Sequence, residues 1–448
     1  MGDLETSPPV IRNLHRLAVG LALLLPWFLL HVRAAAEIDV DLVGACFLMY
    51  CAVERRWEWL RQDWVPVGLA WWAWLVACTV LNLSSSGADG GALVQAAAVV
   101  RFLVFVAALE RWVLPASRDR RWLLASLGAA TLYVAAQTLL QFATGYNLYG
   151  DPRSGDGELT GPFDKPRDAP TFVRMLFPVL LPPVGALLAR PGVRPALGGA
   201  ALVVGSVVVM VLIGQRMPVL LTALGLLVSG LLLPRLRASV AVAVLAGGAL
   251  IAASAVVSPP AFYRLVTKFS RQMGDFADSH YGFIAERAVA IAEQHPWIGR
   301  GYGGFSTGCP QPRYFQDWHW PAAVAHGDGG GAAQCVMHPH SHYLQAVTDA
   351  GLPGLALFTA LVAVWLYRLG QGLLRNPDPL RVGLFVAALI QEWPVASTSP
   401  LISFPIGGWF FLLLGFGLAE ARHAASGGAA RSSHPKLVPD GLHDPLHR

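Results

Sequence analysis

An all-α polytopic membrane protein is the fold class this sequence predicts, and three observations carry the prediction. The 448-residue chain is 54% hydrophobic and only 14% charged, where ordinary soluble domains hold roughly 25% charged residues. Its mean hydropathy is +0.49. Apolar runs of the ~20 residues needed to cross a bilayer recur along its length. These features exclude a soluble enzyme of two or three domains. A net charge of +5 spread over the whole chain forms no stripe that could track a phosphate backbone, which excludes a nucleic-acid partner. Five cysteines do not make a disulfide scaffold.

Twelve such runs are expected to span the membrane, near 14–32, 38–54, 65–83, 91–114, 121–145, 169–189, 195–214, 217–234, 238–257, 352–371, 380–398 and 402–420. The first lacks a small-residue cleavage site and reads as a retained helix. With the N-terminus in the cytoplasm, fourteen arginines of the short loops, from Arg55 and Arg56 to Arg375 and Arg381, fall on the cytoplasmic side. Six basic residues (Arg33, Arg153, Lys165, Arg167, Arg174 and Arg216) fall opposite. This asymmetry places both termini inside. The expected organisation is a membrane domain over 1–257, a large external loop or subdomain over 258–341, a second membrane part over 342–421 and a polar cytoplasmic tail over 422–448 that lacks order.

Two external loops break the rhythm of short connections, and such loops on a rigid scaffold usually carry function. The smaller spans 146–168. In the larger, Pro259-Pro260 ends the ninth run. Apolar Phe262, Leu265, Phe269 and Met273 then alternate with Arg264, Lys268 and Arg271 at helical spacing, which suits either a helix in the membrane interface or an ordinary solvated face. A second helix is expected over Tyr281–Gln294, before Pro296. Four glycines between Gly299 and Gly304 exclude an ordered helix and predict a tight turn of close backbone approach. Residues 306–335 read as irregular. Cys309 and Cys335 are the two cysteines outside the runs and can pair on an oxidising face, whereas Cys46, Cys51 and Cys78 read as small buried residues.

The densest chemistry is His338-Pro339-His340-Ser341-His342, leading to Asp349-Ala350-Gly351-Leu352-Pro353-Gly354. Alternating imidazoles have the composition of a metal site, but nearby carboxylates are sparse and His-x-His is a weak zinc pattern. The stronger reading is a general base that works near neutral pH at the membrane surface.

At these residues the chain resembles the bacterial O-antigen ligases, part of a wider group of membrane O-antigen ligases and polymerases. His340-Ser341, nine residues and Gly351-Leu352-Pro353-Gly354 are similar to that family's signature. Gln215-Arg216 after the seventh run resembles its arginine at that junction. Arg287 with His295-Pro296-Trp297-Ile298-Gly299-Arg300-Gly301 resembles its Arg…Pro-apolar-Gly-x-Gly segment. Gly161-Pro162-Phe163 with Lys165-Pro166-Arg167 resembles the turn of its smaller loop.

The resemblance implies transfer of a polysaccharide from undecaprenyl pyrophosphate to a sugar of lipid A–core at the periplasmic face of the bacterial inner membrane, completing lipopolysaccharide. It implies an inverting transfer without metal or other cofactor. The implied base is His340 or its neighbour His338, which the doublet leaves open. The implied pyrophosphate-binding residues are Arg216, Arg287, Arg300 and Arg167. Arginine suits that task, being always charged and able to bind phosphate oxygens bidentately. Each arginine also has a structural reading: Arg216 as an interfacial anchor, Arg287 paired with Glu286 or Glu293, Arg300 facing water and Arg167 as a loop charge. Arg101 and Glu392 lie within runs, where charge is costly, and could pair with each other. The same resemblance admits an O-antigen polymerase or a protein O-oligosaccharyltransferase. A flippase or transporter would also fit twelve spans, but predicts charges across several of them.

Overall fold

The structure is a computed structural model that describes residues 8–83, 90–155, 157–276, 279–314, 335–396 and 400–432. Among these there is no β-strand; two isolated bridges, Tyr146 with Pro152 and Ser154 with Glu158, brace the smaller loop. The helices before the large loop are α1 Pro9–His31, α2 Arg33–Glu54, α3 Trp64–Leu81, α4 Gly90–Val113, α5 Ser117–Thr144, α6 Asp168–Leu188, α7 Val193–Ile213, α8 Arg216–Leu232 and α9 Pro234–Val257. After the large loop and its helix α10 (His280–Gln294) come α11 His342–Gly370, α12 Pro379–Gln391 and α13 Ile406–Ser432.

Every one of the twelve apolar runs falls on a helix, but eight of the described helices are long and apolar enough to cross a membrane. The shortfall has local causes. Helix α2 carries Arg33, Glu37, Asp39, Asp41 and Glu54. Helix α8 has 17 residues. The expected run 380–398 is cut to 13 residues, because Pro394 disfavours helical backbone at Trp393. At the other end of the chain α13 continues as helix to Ser432, beyond the expected start of the tail at 422.

Helix α6 packs against α5, α7 and α12. Three internal prolines (Pro178, Pro182 and Pro183) sit within it, tolerated where neighbouring helices enclose the freed backbone. Small residues bring its partners close, as in membrane interfaces generally. Gly225 of α8 faces the ring of Phe177, and Gly383 of α12 lies against the Phe177 carbonyl and the Pro178 Cα. Both contacts fall at the same level of α6, so α8 and α12 flank one face of it.

The charged residues within the runs do not pair as expected. Arg101 Nη1 lies 3.3 Å from Asp41 Oδ2, while Glu392 is engaged by His342 instead. Helix geometry explains this: Arg101 on α4 faces α2, whereas Glu392 follows the last turn of α12 beside the start of α11.

Candidate functional site

The large loop is built on α10. Ser279 caps it, its Oγ accepting the Gly282 N–H at 3.1 Å, and a small core of Ile284, Ala288, Ile291, Phe305 and Tyr314 packs along it. Cys309 and Cys335 form a disulfide. The three remaining cysteines are buried and free. The basic stretch before α10 is helical from Pro259 to Gly274 with a wide turn over Tyr263–Lys268. Arg264 does not face the membrane interface: it turns inward and donates to the carbonyls of Ile213 (3.1 Å) and Gly214 (3.3 Å).

The glycine-rich turn interlocks with the Gly351-Leu352-Pro353-Gly354 segment of α11. Arg300 N–H donates to Thr348 O and Gly301 N–H to Asp349 O, both at 2.9 Å, and Leu352 N–H donates to Pro296 O at 2.7 Å. Asp349 reaches back with its side chain, Oδ1 accepting the Gly304 N–H at 2.9 Å. Such backbone-to-backbone contact leaves no space for side chains. A Cβ at Gly299 would lie 2.5 Å from the Ala350 nitrogen, and one at Gly351 2.5 Å from the Trp297 carbonyl carbon. Both glycines also take positive φ, 57° and 68°. Two motifs 50 residues apart in sequence are therefore one structure, and it ties the loop to α11.

The histidines lie at the entrance to α11. Ser341 caps that helix, accepting the Leu344 N–H at 3.4 Å, and His340 precedes it in left-handed backbone, φ 54°. The rings of His338 and His340 meet edge to face with centroids 4.3 Å apart, and Tyr281 of α10 packs against His340 at 5.4 Å. Burial, then the charge of His342, lowers the pKa of His338 to about 4. Burial, then His338 and His280, lowers that of His340 to about 4. Both rings are thus neutral at neutral pH, the form that accepts a proton.

His342, the third of the alternating imidazoles, is held by a buried carboxylate. Its Nδ1 lies 3.0 Å from Glu392 Oε2, with both side chains nearly sealed from solvent. Tyr343 donates to the Glu392 carbonyl at 2.9 Å. A buried carboxylate on one ring nitrogen fixes the ring's orientation and tautomer. A sequence signal was present: Glu392 is an acid inside an apolar run, which calls for a partner. His342 also lines a pocket with Gln345, Asp349, Trp71 and Phe358.

The predicted arginines fall in two groups. Arg287 and Arg300 sit within the loop subdomain, each 1% exposed. Arg287 donates through Nη1 to the Cys309 carbonyl at 3.3 Å and lies against both disulfide sulfurs. Arg300 donates to the Tyr314 hydroxyl at 2.7 Å, which also shares a hydrogen bond with His295 Nε2 at 2.9 Å. Arg300 therefore does not face water, and burial lowers its pKa. The second group lies at the loop end of α6 and α8. Arg167 is exposed just before α6, and Arg216 is half-buried at the start of α8. Gln215 Nε2 donates to Pro166 O at 3.2 Å and joins the two segments.

Residues 201–359 match the family model described as O-antigen ligase. This segment belongs to the O-antigen ligase family. The match supports a membrane glycosyltransferase-type enzyme. The O-antigen ligase segment holds Arg216, Arg287, Arg300, His338, His340 and the interlocked glycines; Arg167 and Glu392 lie outside it. No curated protein matches the chain.

Proposed function

We propose that this protein is an O-antigen ligase that transfers a polysaccharide from undecaprenyl pyrophosphate to a sugar hydroxyl of lipid A–core at the periplasmic face of the inner membrane. The observation that carries this reading is the pair of neutral, partly buried histidines at the entrance to α11, within the segment that matches the family. One of them removes the acceptor hydroxyl proton as the oxygen attacks the anomeric carbon, a contribution of roughly 10²–10⁴-fold. The anomeric bond to the pyrophosphate breaks from the opposite side, so the centre inverts in one step. Arginines at the loop ends of α6 and α8 neutralise the departing diphosphate by charge-assisted hydrogen bonds, a task that otherwise falls to a divalent metal. The arginine bias of the short loops supports placing this end of the helices outside and both termini in the cytoplasm.

The test is in vitro transfer with purified protein, lipid-linked glycan and lipid A–core in EDTA, with His338→Ala and His340→Ala beside wild type. Transfer in EDTA that disappears with one histidine supports the metal-free ligase and names the base. Chain extension on the lipid carrier, with lipid A–core unmodified, moves the protein to the polymerase class. Inactivity with both acceptors overturns both.

A further inference from the structure

Arg174 of α6 is an arginine inside a membrane helix, 7% exposed, and among the described residues it has no hydrogen-bond or ion-pair partner. The arginines around it are satisfied or at the surface: Arg264 holds the carbonyls of Ile213 and Gly214, and Arg167 is exposed. A guanidinium at this depth is costly unless it faces a partner or a wet cavity.

Its direction follows from helix geometry. Residues three and four apart share a face, so Arg174 shares its face with Phe177 and Pro178. Those two residues meet Gly225 of α8 and Gly383 of α12. Arg174 therefore looks toward α8 and α12 one turn nearer the loop end. These two are the shortest apolar helices of the bundle, 17 and 13 residues. Arg216 begins α8 above this face, nine residues before Gly225, or about 13 Å along the helix.

We propose that Arg174 is an intramembrane anion site that takes the phosphate or diphosphate head of a lipid drawn between α8 and α12, below the level of the loop arginines. It deepens the donor reading given above and rests on it only for the polyprenyl nature of the lipid. An anion arriving there replaces the partner that the described residues do not supply.

The experiment compares wild type, Arg174→Gln and Arg174→Lys, each purified in the same detergent, by thermal unfolding and by titration. The probes are geranylgeranyl diphosphate, inorganic pyrophosphate and the uncharged alcohol geranylgeraniol. Wild type is expected to be stabilised by the lipid diphosphate and not by the alcohol. Arg174→Gln is expected to unfold at a higher temperature than wild type without ligand, because an uncompensated buried charge is gone, and to bind the diphosphate at least about tenfold more weakly. Arg174→Lys is expected to retain part of the response. Equal stabilisation by inorganic pyrophosphate assigns the site to free diphosphate. A lower ligand-free midpoint for Arg174→Gln, with undiminished binding of the lipid diphosphate, overturns the proposal and makes Arg174 structural. If wild type ignores both diphosphates, the donor reading falls with it; if wild type and Arg174→Gln respond alike, only this site falls.

Discussion

A methyl group on Gly351 tests whether the interlocked turn holds the site together. Gly351 has φ 68° and ψ −171°, a region reserved almost wholly for glycine that costs another residue ~1–3 kcal/mol. Its Cβ would lie 2.5 Å from the Trp297 carbonyl carbon and oxygen and 2.7 Å from Pro296 O. These are backbone atoms, so no side-chain rotation relieves the contact and the turn must retreat. Retreat breaks the 2.7 Å bond from Leu352 N–H to Pro296 O, a further ~0.5–1.5 kcal/mol. The expected destabilisation is ~1.5–4.5 kcal/mol. Gly205→Ala is the control: that glycine is helical with nothing within 4 Å of a Cβ, and alanine there stabilises by ~0.5–1 kcal/mol. Thermal unfolding in one detergent, with transfer measured on the folded fraction, separates the two. Gly351→Ala should lower the midpoint and reduce transfer at least about tenfold, since the histidines enter α11 beside this joint. A Gly351→Ala protein with wild-type midpoint and transfer would refute the claim that the turn and α11 are one unit.

Four further outcomes are expected. Glu392→Gln keeps the size of the side chain but replaces the carboxylate beside His342, and transfer should drop roughly tenfold or more; Glu392→Ala should also lower the midpoint, as a buried His342 nitrogen left without its hydrogen-bond partner costs ~1–3 kcal/mol. His338 and His340, with pKa values of about 4, stay unprotonated well below neutrality, so the pH profile of transfer should be flat from pH 8 to about 5 and decline only toward 4; an acid limb centred near 6.5, the ordinary histidine value, contradicts their burial. The same shifts bear on stability: the unfolded chain protonates these rings below ~6.5 and the folded chain does not until about 4, so their contribution is complete above 6.5 and lost as pH falls through that window, which chemical unfolding at pH 7.5 and 5 measures. Cys309→Ser, or reduction, removes the disulfide that Arg287 contacts and should destabilise the loop by ~2–5 kcal/mol, read as faster proteolysis of the loop with the membrane helices still intact.

Much of the fold is legible in the chain because burying twenty apolar residues in lipid leaves few alternatives: each apolar run became a helix, and Pro296 and the glycines after it ended α10 where their backbone limits require. The motif histidines and glycines could be read as chemistry because few residue types do that work. Other features depended on neighbours far away in sequence. Pro394 stopped α12 and left Glu392 beside His342, 50 residues earlier, so the buried pair exists only through the packing of α11 and α12. Arg287 and Arg300 had the composition of phosphate ligands, yet folding closed a disulfide against one and a tyrosine onto the other. Residue type fixes what a side chain can do, and spacing fixes which face of a helix it occupies. Which partner meets that face is set by how the helices pack, and that packing left Arg174 mostly buried without a counter-charge among the described residues while it brought two glycine motifs into one joint.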